Sequence, residues 1–391
     1  MRILHFSNKP AFPSIDGGCV AIREMLYTLS ELSPAKLVHF TLSTYKHPFH
    51  IKNYPANLSK SLSIHSAEID TSLSILGAAK HLISNKSYNV ERFYNSAVAS
   101  KLESLLKLHQ FDCVVIESIF LLPYLALFKS FNLTVLVRTH NVEFEIWESL
   151  SLKEKSIIKR KYLQKLTKQL RKYELQELKK VDGIIAISNT DKKHFKSHGI
   201  EVPMTVLPTA MQTSKDKNDY SKNDFYYLGA MDWKPNIEGF TWLFNHLSTQ
   251  KELPAKLHLA GKNLDKNAFI APQIENHGEI ICANTFIQNH GICLVPILSG
   301  SGIKIKLLEN MALGKPIITT VEGTRGIRVR NGEEVLIANT PQQFYDAMIL
   351  LYKDKELRQK LGENAKKFIF DNYNLANLSK QLGEFIAKIQ A

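Results

Sequence analysis

Apolar runs of four to seven residues recur along the chain, each followed by a polar turn and then a longer stretch with apolar positions three or four apart. Short unbroken runs predict buried strands, and the stretches between them predict amphipathic helices. In the first half the strand candidates are RILHF, KLVHF, DCVVIE, TVLVRT, GIIAIS and MTVLP; later come DFYYLG, KLHLAG, GICLVPI, PIITT and EEVLIA. Strands that alternate with helices pair in parallel, since each return to the sheet needs a crossover of helix length. The pattern therefore predicts an α/β chain of doubly wound parallel sheets. Between Gln212 and Asp224 the sequence QTSKDKNDYSKND is polar and lacks a hydrophobic period, as a linker would. The expected organisation is a first domain at 1–211, a linker at 212–223, a second domain at 224–372 and a terminal helix at 373–391. In that helix Leu375, Leu378, Leu382, Phe385 and Ile386 share one face, which by itself predicts packing on its own domain.

Composition changes this picture little, and charge more. A chain of 391 residues suits two domains, and 44% hydrophobic with 22% charged residues is ordinary for a globular protein. Cys19, Cys113, Cys282 and Cys293 are widely spaced, without disulfide or zinc patterning, which predicts mostly buried thiols in a reducing compartment. The apolar run of MRILHFSNKP is too short for a secretory signal, and no stretch has the length of a membrane span. A cytoplasmic location is expected. The net charge of +13 predicts attraction to anions, whether phosphates, acidic lipids or nucleic acid.

The stretch from Val295 to Ile318 carries the clearest chemistry. A buried strand leads into Gly300-Ser301-Gly302, and a helix is expected from about Ile303. Free amides and a positive dipole end at such a junction favour an anion. Ile303, Leu307, Leu308, Met311 and Ala312 form an apolar arc, Lys306 and Glu309 lie three apart on the polar side, and Lys304 interrupts the arc. Gly314 suits the end of the helix. No Walker A lysine follows and the third glycine of a dinucleotide fingerprint is missing. An ordinary turn with a surface ion pair remains the competing reading.

Other loops add weaker signals. Gly17 and Gly18 precede a helical run, where a ligand could approach the backbone closely. His140, Asn141 and Glu143 follow the strand TVLVRT, at the carboxyl end where open α/β sheets bind ligands. Gly229-Ala230-Met231-Asp232-Trp233-Lys234-Pro235-Asn236 follows another strand and opens a helix, with Trp233 as a candidate core residue and Lys234 as a candidate phosphate partner. Gly261 reads as a turn glycine. From Ser151 to Lys180 the chain is basic, with Ile157, Ile158, Leu163, Leu166 and Leu170 interleaved. Such a segment is either a solvated helix face or one that rests on an anionic membrane, and LSILGAAKHLI after Ser72 is a second candidate for the same role.

The segment Glu309-Asn310-Met311-Ala312-Leu313-Gly314-Lys315-Pro316, the Gly-Ser-Gly-Ile-Lys-Ile-Lys run before it and the loop from Gly229 to Asn236 resemble the motifs of the retaining glycosyltransferases of family 4. The resemblance implies two facing Rossmann-like domains of GT-B architecture with a cleft between them, and a nucleotide diphospho-sugar as co-substrate. It implies ribose hydroxyls on Glu309, diphosphate oxygens on the amides of Gly302, Ile303 and Lys304 and on Lys304, Lys306 and Lys234, Ser301 as a further donor-binding residue, and Gly17 and Gly18 facing the diphosphate and acceptor. His140 would lie beside the sugar, making His140, Lys304 and Glu309 the catalytic candidates, and Asn141 and Glu143 would be on the acceptor side. It further implies no metal and no cofactor, a glycan or lipid-linked acceptor in cell-surface polysaccharide or lipopolysaccharide synthesis, work at the inner face of the cytoplasmic membrane, no nucleic-acid partner, and a terminal helix that returns to the first domain. Two positions depart from the family. Ser301 stands where the first glutamate of the motif is usual, and Pro208-Thr209-Ala210 replaces Pro-Asn-Gly. A sugar-nucleotide epimerase of the same fold and a non-enzymatic binder of anionic surfaces or nucleic acid are the alternatives.

Overall fold

A computed structural model describes residues 1–34, 36–72, 86–214, 216–250, 252–300 and 303–391. They form two compact units: Met1–Ala210 with Leu375–Ala391, and Met211–Asn374. Ser301, Gly302 and the apolar stretch at 73–83 lie outside the described residues.

The first unit is built on β1 (Ile3–Ser7), β2 (Leu37–Ser43), β3 (Ser63–Glu68), β4 (Cys113–Glu117), β5 (Thr134–Thr139), β6 (Gly183–Ala186) and β7 (Met204–Val206). Among the described residues they make one sheet, all parallel, in the order β3-β2-β1-β4-β5-β6-β7. The second contains β8 (Phe225–Leu228), β9 (Leu257–Ala260), β10 (Ile274–Gly278), β11 (Ile292–Val295), β12 (Ile317–Thr319) and β13 (Leu336–Ile337), ordered β10-β9-β8-β11-β12-β13 and again parallel. Both are doubly wound α/β sheets of Rossmann-like type. In each, the winding reverses between the first and fourth strands, and ligands of such sheets bind beyond the carboxyl ends at that reversal.

Two strands, β3 and β10, are absent from the apolar runs of the sequence, and both are edge strands. Their residues SIHSAE and IENHG are largely part-exposed, so their positions need no continuous apolar run. By contrast β1, β4 and β11 are buried throughout.

The first unit has a core on each face of its sheet. One face is covered by Val98, Leu102, Leu106, Leu170 and Phe195. Over the other lie Ile22, Met25, Leu26 and Leu29 from the helix Gly17–Leu32, together with Leu378, Leu382 and Ile386 from the helix Leu375–Gln390. That last helix thus packs on the first unit, where Ser379 Oγ donates to Thr28 O at 3.0 Å and Gln381 Nε2 to Val206 O at 2.9 Å. Fully burying Leu382 and Ile386 contributes about 1.5–3 kcal/mol each.

The polar segment after residue 211 runs along the second unit. Asn218 Nδ2 donates to Gly314 O at 2.9 Å, and Arg358 Nε to Tyr220 O at 3.0 Å. Cys19, Cys113 and Cys293 are buried free thiols, whereas Cys282, the N-cap residue of the helix Ala283–Asn289, is exposed. Among the described residues no helix is long and apolar enough to cross a membrane.

Candidate functional site

In the second unit the residues singled out by sequence gather at the carboxyl ends of β8 and β11. Gly229 follows β8, and a side chain there would meet Lys306 Nζ and Tyr227 Oη, each 2.7 Å from its Cβ. The glycine therefore leaves room for a lysine. Lys306 Nζ donates to Asn236 Oδ1 at 2.8 Å and lies 4.8 Å from the centroid of the Tyr227 ring, over its face. Burial pushes its pKa down to about 8, against partial support from Cys293 and Glu309. The reading of Lys306 as part of a solvated surface pair is corrected here: an amide oxygen and an aromatic face hold it in place.

The helix carrying Glu309 spans Ile305–Ala312, two residues later than the periodicity suggests, with Lys304 as its N-cap residue. Ile303 lies just before the cap, part-buried. Lys304 Nζ reaches back to Gly300 O at 2.9 Å, and Gly300 has φ +116°, a conformation that favours glycine. Asn310 Nδ2 bonds Lys306 O at 2.7 Å and Asn310 accepts from Tyr226 Oη, which pins the helix to β8. Glu309 is part-buried one turn in from the helix start.

Lys234 opens the helix Lys234–Leu247, and its ammonium lies 3.7 Å from Glu238 Oε1. Glu238 Oε2 in turn accepts from Ser299 Oγ at 3.1 Å, linking that helix to the glycine loop. Trp233 is the N-cap residue and 54% exposed, so it is no core residue. Gly239 and Gly261 are sites of close approach: a Cβ would fall 1.7 Å from Pro296 O and 1.8 Å from Gly229 O respectively. Gly261 therefore does more than form a turn, because it lets the ends of β8 and β9 close up. Asn236, Tyr227 and Glu238 were not among the candidates read from sequence. The proximity of Asn236 to Lys234 in the same loop was the available signal.

In the first unit the corresponding region is a buried hydrogen-bonded network. Glu117 ends β4, Arg138 is the penultimate residue of β5, and His140 follows it. Arg138 Nη1 lies 3.3 Å from Glu117 Oε2 and donates to Ala21 O at 2.9 Å, and its Nη2 reaches Thr209 Oγ1 at 3.3 Å. His5 Nε2 meets Glu117 Oε1 at 3.1 Å, His39 Nδ1 meets His5 Nδ1 at 3.1 Å, and His140 Nε2 bonds Glu117 Oε2. Glu117 is wholly buried while His140 keeps 15% exposure, so only the end of the network is accessible. Burial pushes the Glu117 carboxyl up, but Arg138 and His140 outweigh it and hold it well below the usual range. Burial lowers the His140 pKa despite that carboxylate, favouring a neutral ring.

Gly17 and Gly18 are the first two residues of their helix rather than a loop before it. The Asp16 carboxylate caps that helix, accepting from Cys19 N at 2.8 Å, from Lys9 Nζ at 2.7 Å and from His47 Nε2 at 2.9 Å. A Cβ on Gly18 would lie 2.6 Å from Lys9 Nζ, so this glycine makes space for a lysine too. Burial pushes the Asp16 carboxyl up; bonds from His47 and Lys9 prevail and hold it far below its ordinary range.

Asn141 Nδ2 lies 3.4 Å from Glu143 Oε1. Glu143 starts the helix Glu143–Lys153, whose first amides, Glu143 N and Phe144 N, are capped by Glu174 at 3.1 and 3.0 Å. Burial raises the carboxyl pKa of both Glu143 and Glu174, and in Glu174 the Glu143 charge adds to it.

Residues 222–354 match the family model described as Glycosyl transferases group 1. The match lies within the second unit. Together with two Rossmann-like sheets, this supports a GT-B glycosyltransferase. HepE of Anabaena in complex with UDP has the same fold at 11% identity, with 99% of this chain and 100% of that one covered and a TM-score of 0.69. Sucrose-phosphate synthase of Thermosynechococcus elongatus aligns over 100% of this chain and 99% of that one, at 13% identity and a TM-score of 0.71. In sequence, an uncharacterized 44.6 kDa protein of the Klebsiella pneumoniae cps region is 26% identical over 70% of this chain and 74% of its own. An uncharacterized glycosyltransferase of Methanocaldococcus jannaschii is 25% identical over 54% of this chain and 59% of its own.

Proposed function

We propose that the protein transfers a glycosyl group from a nucleotide diphospho-sugar to a glycan or lipid-linked acceptor, with retention of anomeric configuration. The arrangement of Lys306 carries this reading: an ammonium seated on Asn236 and Tyr227, beside a glycine strand end and one helical turn from Glu309. Diphosphate oxygens would take up Lys306, Lys304 and Lys234, while Glu309 receives the ribose hydroxyls. The three ammonium groups supply positive charge where the leaving phosphate develops its negative charge, so the reaction is proposed to be metal-independent. Preorganised charge of that kind commonly contributes about 2.7–4 kcal/mol per contact to barrier lowering. In a retaining transfer the departing phosphate can take the acceptor proton on the same face, and no protein base is required.

For the first unit we propose that His140 orients the sugar as a neutral ring, with Glu117 fixing its Nε2, and that Asn141 and Glu143 serve the acceptor side. Gly17 and Gly18 keep a proposed place near the diphosphate, Gly18 through the space it gives Lys9. The HepE structures hold UDP or UDP-glucose, and the Klebsiella relative is from a cps region; both favour a sugar-nucleotide donor and a surface-polysaccharide product. A lipid-linked acceptor at the inner face of the cytoplasmic membrane has its own support. Leu152, Ile157 and Ile158 are 72%, 68% and 83% exposed among Lys153, Lys155, Lys159 and Lys161, a basic and apolar surface suited to anionic lipid.

A thermal-shift panel of nucleoside diphosphates and their sugar conjugates tests the donor class. One base should raise the melting temperature, and its matching sugar conjugate should be consumed with the product linkage in the donor's anomeric configuration by NMR. Isomerised free donor, or no stabilisation by any nucleotide, would overturn the reading.

A further inference from the structure

Three imidazoles converge in the second unit, away from the lysine-bearing loops. His258 belongs to β9, His277 to the edge strand β10, and His290 ends the helix Ala283–Asn289 and precedes β11. One ring nitrogen from each lies within 4.8 Å of the others. His258 Nδ1 and His277 Nε2 are 3.1 Å apart, and the rings of His258 and His290 stack with centroids 4.0 Å apart. Tetrahedral zinc with Zn–N bonds of about 2.0–2.1 Å holds its nitrogen ligands roughly 3.3 Å apart; the His258–His277 pair already has this spacing, and the His290 ring would rotate out of its stack on His258 to complete it.

Two carboxylates complete the surroundings. Asp224 Oδ2 accepts from His290 Nδ1 at 2.6 Å, which fixes that tautomer and leaves Nε2 with its lone pair, as a carboxylate behind a metal-bound histidine does. Glu275 places Oε2 3.7 Å from His258 Nδ1 and Oε1 3.7 Å from His277 Nε2, within a small rotation of a fourth ligand position. The histidines are 13–30% exposed, so an ion can enter. The other trio with metal spacing among the described residues, Asp16, Cys19 and His47, already holds the Lys9 ammonium at 2.7 Å from Asp16.

We propose that His258, His277 and His290, with Glu275 as fourth ligand and Asp224 orienting His290, bind a divalent transition-metal ion such as Zn²⁺. Imidazole and carboxylate donors at this number and spacing suit Zn²⁺ better than Mg²⁺ or Ca²⁺, which prefer all-oxygen sites. The ion ties the polar edge strand β10 to β9 and to the helix Ala283–Asn289. Asp224 and His290 sit at the amino ends of β8 and β11, whereas the donor loops leave the carboxyl ends of those strands, so the role is structural.

The full chain, stripped with a chelator, is titrated with Zn²⁺ by calorimetry and melted with and without the metal. One ion per chain should bind and raise the melting temperature. His277→Gln should weaken binding by at least about 100-fold and Glu275→Gln by about 10-fold, since even residues behind metal ligands affect affinity on that scale. Wild-type chain loaded with Co²⁺ should show the intense visible bands of a tetrahedral site, a readout that stands should His277→Gln fail to fold. Absence of saturable Zn²⁺ binding, binding unchanged in His277→Gln, or only the weak bands of octahedral Co²⁺ would each overturn the proposal.

Discussion

The two units share a winding plan and treat charge in opposite ways. In the first unit, Glu117 and Arg138 near the ends of β4 and β5 and His5 and His39 within β1 and β2 form one buried hydrogen-bonded network, and only His140 reaches the surface. In the second, Lys306 rests on the neutral Asn236 Oδ1 and over a tyrosine ring, Lys304 Nζ reaches Gly300 O, and Lys234 lies 3.7 Å from Glu238. A charge already neutralised in a buried network positions other groups; a charge resting on weak partners can be lent to an anion. On the function proposed above, the same fold provides a rigid platform in one unit and a phosphate-binding surface in the other.

That contrast can be broken experimentally, beginning with the buried network. Glu117→Ala strands the Arg138 guanidinium without its carboxylate and should cost about 3–5 kcal/mol of stability in urea unfolding. A loss below 1 kcal/mol would show that the network is not the platform described here. Lys306→Met keeps the packing over Tyr227 and removes a buried charge, so it should not weaken the fold while lowering turnover by about 10²–10³, in line with loss of one preorganised contact. The reverse result, full turnover with a weakened fold, would make Lys306 a structural lysine.

The Lys306 pKa of about 8 sharpens this further. Unfolding restores an ordinary lysine near 10.5, so between pH 8 and 10.5 the unfolded chain binds more protons and this group makes folding more favourable as pH rises. Diphosphate affinity should move the other way, full below pH 8 and falling above it. Calorimetry across pH 7–10 checks this, and Lys306→Met should abolish that limb. The smallest effect is expected from Lys234→Ala. Its ammonium is 55% exposed and 3.7 Å from Glu238, so turnover should fall only several-fold with stability unchanged within about 0.5 kcal/mol.

Much of the fold was legible because buried parallel strands require continuous apolar runs, and CVVIE, ICLV and their neighbours have them. Edge strands do not, which is why SIHSAE and IENHG went unread. The glycine and lysine loop was legible as chemistry, yet its geometry was not. The helix start moved to Ile305 because Lys304 takes the cap, and Lys306 left the solvated face because Asn236, seventy positions earlier, supplies its oxygen. The Glu117 network was hidden for a similar reason: carboxylate, guanidinium and imidazoles come from separate strands, and only the parallel register brings them together. The three histidines, in β9, in β10 and just after the helix Ala283–Asn289, carry no local spacing signal at all.

The most direct test of the donor assignment is calorimetric titration of the best-binding nucleoside diphosphate into wild-type protein and Glu309→Ala. The site described here predicts at least about tenfold weaker binding in the variant, equivalent to about 1.4 kcal/mol, with an unchanged melting temperature in the absence of ligand. Equal affinity in the two proteins would place the nucleotide elsewhere and contradict the account.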